Sequence, residues 1–219
     1  MPVPVKPNNE PRLSARQQVY NTLLAWITDG TLQPGEKILD SEIAAYFSMS
    51  RTPVREALQM LADQKLIDIL PSRGSVVSQI DPKEIRGNYT LMGELNRTAL
   101  MLAVPRINKE FIDHLEEINE NMKQAAEQND SQAIISYDRQ FHDQFISLAD
   151  NYFLTRFYET LYTNCQRTEN LFFRRPEDPL VSVSHHSGII QALRKGNYAE
   201  AGEYLLRNWT HTLEYMDID

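Results

Sequence analysis

Residues 50–58, SRTPVREAL, decide the fold. Ser50 is a small hydroxyl residue suited to a helix N-cap. Pro53 follows at an early helical position, where a missing N–H costs nothing. Val54, Ala57, Leu58 and Leu61 then recur at helical spacing. Arg51 and Arg55 stand four apart, so both project from one face of that helix. A helix with an apolar back and two arginines near its start suits insertion into a DNA major groove. There an arginine bonds a guanine edge with two hydrogen bonds, or clamps a phosphate. Alone, two arginines on a helix are an ordinary solvated face, so the flanks must decide.

The flanks supply a DNA-binding frame. Ser14 can cap a helix to about residue 29, with Val19, Leu23, Leu24, Trp26 and Ile27 roughly on one face. Gly30 ends it, and Pro34–Gly35 makes a turn into a short extended piece at 37–39. Asp40 or Ser41 caps a short second helix that buries Ile43, Ala44 and Phe47. A tight turn at 48–50 leads into the arginine helix, which runs to about residue 65. Strands are expected at 66–70 and 75–80, joined by a turn at 71–74. Three helices followed by a two-stranded hairpin is a winged helix-turn-helix, whose second motif helix enters the groove. Arg73 and Gly74 at the hairpin tip suit a wing that touches phosphate or minor groove.

Composition divides the chain. The net charge of the 219 residues is −8, yet residues 1–78 hold eight Lys/Arg and eight Asp/Glu. Residues 79–219 carry the whole excess and all five histidines, so two domains meet near Asp81–Pro82. A basic patch works on a neutral domain, because salt screens charge beyond about 10 Å. Residues 1–11 are Pro- and Asn-rich, read as a disordered tail without the apolar core of a signal peptide. No apolar run approaches the roughly 20 residues that span a bilayer. The lone Cys165 rules out an internal disulfide and a cysteine-based zinc site. A cytoplasmic protein with no membrane partner is expected.

Residues 34–77, PGEKILDSEIAAYFSMSRTPVREALQMLADQKLIDILPSRGSVV, resemble the DNA-binding domain of the GntR superfamily of bacterial transcription regulators. The resemblance places the groove-reading arginines on Arg51 and Arg55, the helix-start hydroxyls on Ser50 and Thr52, and the wing glycine on Gly74. Where some members place a DNA-contacting arginine early in the second helix, this chain has Ser41.

The second region (81–219) is helical by pattern. Six helices are expected, opening at Asp81–Pro82, Asn108, Ser131, Tyr152, Ser182 or Ser184, and Asn197. Met92, Asn96, Ala99 and Ala103 share one face of the first. Phe153, Leu154, Phe157, Leu161 and Leu171 are available as core on the fourth. Short connections make these helices an antiparallel bundle, so the chain as a whole is mainly α. Asp138 and His142 stand one turn apart on the third helix, with His186 on the fifth and Asn208 on the sixth. Carboxylate and imidazole from facing helices is how bundles build metal sites. Each histidine could equally be a surface or a satisfied core residue.

This region resembles the all-helical effector domain (FCD type) of the FadR branch of GntR regulators, and the likeness runs from about residue 12 to 216. In the metal-binding version an Asp, a His one turn on and two later His hold the ion. The first three fall on Asp138, His142 and His186; the fourth falls on Asn208, with His211 three residues further. The resemblance implies a divalent metal (zinc, nickel or manganese) and a small effector, often a carboxylate, that completes its coordination. It also implies a homodimer and an operator of two half-sites, most simply repressed. Metal binding should weaken below roughly pH 6.5, where an unperturbed imidazole protonates. Alternatives are a metal-free acyl-ligand regulator, a metal-dependent enzyme, for which no acid or base can be assigned, and an architectural DNA binder.

Overall fold

A computed structural model describes residues 13–71, 74–172 and 178–216. The chain separates into two compact units, Met1–Gln79 and Ile80–Asp219. The expected tail at 1–11 lies outside the described residues.

In the first unit, α1 (Ala15–Thr28) starts where the Ser14 hydroxyl accepts the Gln17 N–H at 3.2 Å. It buries Val19, Leu23 and Ile27 against Val54, Ala57, Leu58 and Leu61 of α3 (Arg51–Asp63). Between them, α2 (Asp40–Tyr46) packs on α3 and is joined to it by a turn with Ser48 at φ +52°. Three strands complete the unit: β1 (Lys37–Ile38), β2 (Ile67–Leu70) and β3 (Gly74–Val77). All pair antiparallel in the order β1-β3-β2. The expected two-stranded hairpin is thus a three-stranded sheet. The short extended piece after Gly35 hydrogen-bonds the outer edge of β3, and β3 ends at Val77 rather than residue 80.

Two expected caps differ. Asp40 is the first residue of α2, not its cap. The cap position is Leu39, and the Asp40 carboxylate is taken by Arg55. Ser50 does hold the cap position of α3 in extended conformation, but its hydroxyl makes no capping bond.

The second unit has six helices among the described residues: α4 (Pro82–Ala103), α5 (Lys109–Glu127), α6 (Ser131–Ala149), α7 (Tyr152–Phe172), α8 (Pro179–Arg194) and α9 (Tyr198–His211). Asp81, Asn108, Asp130, Asp178 and Asn197 each accept a backbone N–H at the start of a helix. Two starts therefore move upstream of expectation. Asp130 caps α6 in place of Ser131, and Asp178 with Pro179 opens α8 a turn before Ser182. An acidic cap followed by proline is a stronger start signal than an isolated serine. Ser182 then faces inward, buried.

The packing places α4 against α6, α7 and α9, α5 against α6 and α8, and α8 against α9. Tyr89 near the start of α4 donates its hydroxyl to Cys165 O and Glu169 Oε1 late in α7, so these two helices run antiparallel. Two glycines let α9 approach closely. A Cβ on Gly93 of α4 would lie 2.7 Å from Leu206 Cδ1, and one on Gly188 of α8 would lie 2.6 Å from the Tyr204 ring.

Helix α7 corrects the sequence reading. Leu154 is buried as expected, but Phe153 and Phe157 are 70% and 63% exposed. Tyr158, Tyr162 and Cys165 enter the core with Leu154 instead. The buried stripe lies one residue round the helix from the phenylalanines, and both stripes are aromatic. The Leu171 side chain lies outside the described set. Among the described residues no helix is long and apolar enough to cross a membrane.

Candidate functional site

Four expected ligand positions converge between α6, α8 and α9. The donor atoms of Asp138, His142 and His186 all lie within 4.8 Å of one another. Asp138 Oδ1 is 3.6 Å from His186 Nε2, and Asn208 Oδ1 is 2.8 Å from His142 Nε2. Donors sharing one small divalent ion, bound at about 2.0–2.2 Å each, sit roughly 3–4 Å apart. Both imidazoles are fully enclosed, and Phe141 stacks on the His186 ring at 3.7 Å.

Each histidine is oriented from behind by an asparagine. His142 Nδ1 lies 3.1 Å from Asn96 Oδ1, and His186 Nδ1 lies 3.2 Å from Asn119 Oδ1. The amides are themselves fixed. Asn96 Nδ2 donates to Met92 O, and Asn119 Nδ2 donates to Val183 O and Ser187 Oγ. With Asn119 so turned, His186 Nδ1–H donates and Nε2 faces the centre with its lone pair, the tautomer a metal needs. Asn208 is set likewise, since its Nδ2 donates to Ser182 Oγ at 3.2 Å.

This arrangement leaves acceptors facing acceptors. A neutral imidazole has one N–H, yet both nitrogens of His142 face amide oxygens. Burial holds the ring neutral, pushing its pKa down to about 4. His186 is driven well below its ordinary value, first by burial and then by His142 and His185. Its Nε2 is enclosed and makes no hydrogen bond. An unsatisfied imidazole nitrogen and a carboxylate, beside the His142–Asn208 contact at 2.8 Å, form a cluster suited to a cation. The residues present therefore fit a divalent metal.

His211 stands elsewhere. Its Nδ1 is 3.3 Å from Glu214 Oε1, its Nε2 is 3.3 Å from the Tyr215 hydroxyl, and its ring meets the edge of His185. His185 is half-buried with its Nδ1 enclosed. Asn96 and Asn119 were not singled out as site residues from sequence. The signal was a lone amide on an apolar helix stripe: Asn96 among Met92 and Ala99, Asn119 among Leu115, Ile118 and Met122.

In the first unit, Ser50, Arg51, Thr52 and Arg55 are all exposed at the start of α3. Val54 and Leu58 anchor the opposite face in the core. Arg55 Nε donates to Asp40 Oδ2 at 2.8 Å, tying α3 to α2. That guanidinium holds the Asp40 carboxyl below its ordinary pKa. Ser41 is exposed on α2. Gly74 opens β3 at φ +88°, a backbone state that disfavours other residues. Arg73 lies outside the described residues.

Comparison with known proteins shows the family. The family model described as "FCD domain" matches residues 88–210, more than half the chain. That for "Bacterial regulatory proteins, gntR family" matches residues 15–77. The chain belongs to the gntR family of bacterial regulatory proteins with an FCD domain. It is similar to the HTH-type transcriptional repressor RspR of Escherichia coli, 29% identical over 190 residues that cover 84% of this chain and 81% of the relative. It is similar also to a probable D-xylose utilization operon transcriptional repressor of Paenarthrobacter nicotinovorans, 28% identical, covering 94% and 88%. The fold matches that of E. coli McbR/YncC with a TM-score of 0.75, at 22% identity, over 93% of this chain and 97% of the other. This gntR-family protein is thus a DNA-binding transcription regulator, not an enzyme.

Proposed function

We propose that this gntR-family protein is an effector-controlled repressor whose helical unit binds one divalent metal through Asp138, His142 and His186, with Asn208 as fourth ligand. The observation that carries the reading is the meeting of these four side chains, with an unsatisfied, buried His186 Nε2 beside the Asp138 carboxylate and the His142–Asn208 contact at 2.8 Å. When bound, the ion would offer open coordination to the carboxylate of a small effector. The chain's own part is to hold both imidazoles neutral and aimed inward through Asn96 and Asn119. A polar, charged centre of this kind argues against an acyl chain as effector, since an acyl chain would leave these groups unsatisfied. Ser50, Arg51, Thr52 and Arg55 read or clamp the operator, with Arg73 and Gly74 on the wing. The repressor names of two relatives support the sign of regulation.

The test is metal content after chelation and reloading, with thermal melting in added zinc, nickel or manganese. Wild type should bind one ion and gain stability by mass action. His142→Ala should nearly abolish binding. Asn208→His should tighten it, because imidazole is the better ligand for these metals. His211→Ala should do little. If His211→Ala strips the metal while Asn208→Ala keeps it, the fourth ligand is misassigned. A wild type that neither holds metal nor gains stability makes the histidines structural.

A further inference from the structure

The two arginines of α3 are not equivalent. Arg51 has no ion-pair partner among the described residues, whereas Arg55, 68% exposed at its side chain, is held by Asp40. The contact uses Arg55 Nε and Asp40 Oδ2, at 2.8 Å. A guanidinium is planar and offers five N–H groups in a rigid fork. With Nε engaged, the terminal edge formed by Nη1 and Nη2 remains, and the plane of the fork is fixed. Asp40 is itself constrained as the first residue of α2. The acid sits at a helix N-terminus, where negative charge is favoured.

We infer that Asp40 is a specificity-determining positioning residue, which locks Arg55 so that its terminal edge reads one base in the major groove. This rests on the reading of Arg55 as a DNA contact. A free arginine must lose side-chain freedom on binding and can settle equally on a phosphate or a base; a pre-oriented one has already lost that freedom. The carboxylate has a second effect, on general affinity. It places a negative charge beside the DNA backbone, which weakens binding to every sequence alike. Asp40 therefore lowers general affinity and raises the preference for the correct base. A loss of preference confined to the base that Arg55 reads separates positioning from a merely structural salt bridge, whose loss would change binding to every sequence alike.

The experiment selects duplexes from a library with a randomised centre, using the full-length wild type, and identifies the preferred base at each position. The selected duplex, its single-base variants and an unrelated duplex of equal length are then titrated with wild type, Arg55→Ala, Asp40→Asn, Asp40→Glu and the Asp40→Asn/Arg55→Ala double variant. Arg55→Ala should cut the preference at one position by roughly tenfold or more. Asp40→Asn should cut it at that same position by about three- to tenfold, while binding the unrelated duplex more tightly than wild type. Asp40→Glu should restore part of the preference, and the double variant should be no less selective than Arg55→Ala. If Arg55→Ala relaxes a position and Asp40→Asn, shown folded by circular dichroism, leaves it unchanged, the positioning role is wrong while Arg55 as reader stands. If Asp40→Asn fails to fold, an Asp40→Glu protein that keeps no preference overturns the role equally. If Arg55→Ala relaxes no position, Arg55 is not a base reader and both readings fall.

Discussion

A buried imidazole states its chemistry through its pKa. In the native protein His142 titrates near 4, because burial disfavours its charged form. In the unfolded chain it titrates near 6.5. Between those values the unfolded state binds a proton that the native state refuses, so stability falls as pH drops from about 6.5 to about 4. Melting of the metal-free protein from pH 7.5 to 4.5 should follow this slope, and His142→Asn should reduce it, leaving the part that His186 contributes. An equal slope in both proteins would place the titration elsewhere. The same shift moves the metal's proton competition. Sequence alone suggested loss near pH 6.5, the value of an exposed histidine. Enclosure makes the neutral ligand available well below that, so metal affinity should hold at pH 6 and fail toward 4. The pairing of Asp138 with His142 could be read from their one-turn spacing, whereas adding His186 and Asn208 rested on the family resemblance; the structure brings the four side chains together. The depth of the site was not legible, because nothing in a one-turn spacing says how many other helices cover it.

At the scale of elements, α7 is where a face was misjudged. Leu154 and Tyr158 fill the core, and Phe153 and Phe157 face outward. Leu154→Ala should cost about 2–5 kcal/mol. Phe157→Ser should change stability by less than about 0.5 kcal/mol. Urea unfolding at two protein concentrations measures both. A concentration-dependent cost for Phe157→Ser would mean that this face is covered by another copy in solution. The misreading has a physical cause: phenylalanine is the more hydrophobic residue, but the inner stripe of α7 meets polar groups. The Arg139 guanidinium lies 4.7 Å over the Tyr162 ring, and the Tyr89 hydroxyl reaches Cys165 O. Amphipathic tyrosines suit that boundary. Helix starts were read to within a turn where an Asx cap was present, and β1 was found as an extended piece without its partner. A strand of two residues carries no period, so only its hydrogen bonds to β3 reveal it as a strand.

For the whole molecule, one helix-turn-helix reads only a few base pairs, which is too little to select an operator from a genome. Two copies acting together should protect two related half-sites, with centres one helical turn (about 34 Å) or a multiple apart. Footprinting on the selected duplex, with sedimentation of the free protein, checks this. Protection of a single short site by a monomer would overturn it. A metal held as proposed would couple to this scale through its ligands, which would come from α6, α8 and α9. No single helix carries the set, so ion and bundle would stabilise each other.

Gly93 has a consequence for genetics. It bears no donor and reaches no ligand, but it lets α9 lie against α4, and Asn208 sits on α9 only two residues beyond Leu206. An added methyl would meet Leu206 at 2.7 Å and lever α9 outward, carrying the Asn208 oxygen away from His142. Gly93→Ala should therefore keep the secondary structure by circular dichroism while metal affinity falls. A selection for mutants deaf to the inducing signal should recover Gly93 beside the ligands, as a hit whose side chain never existed.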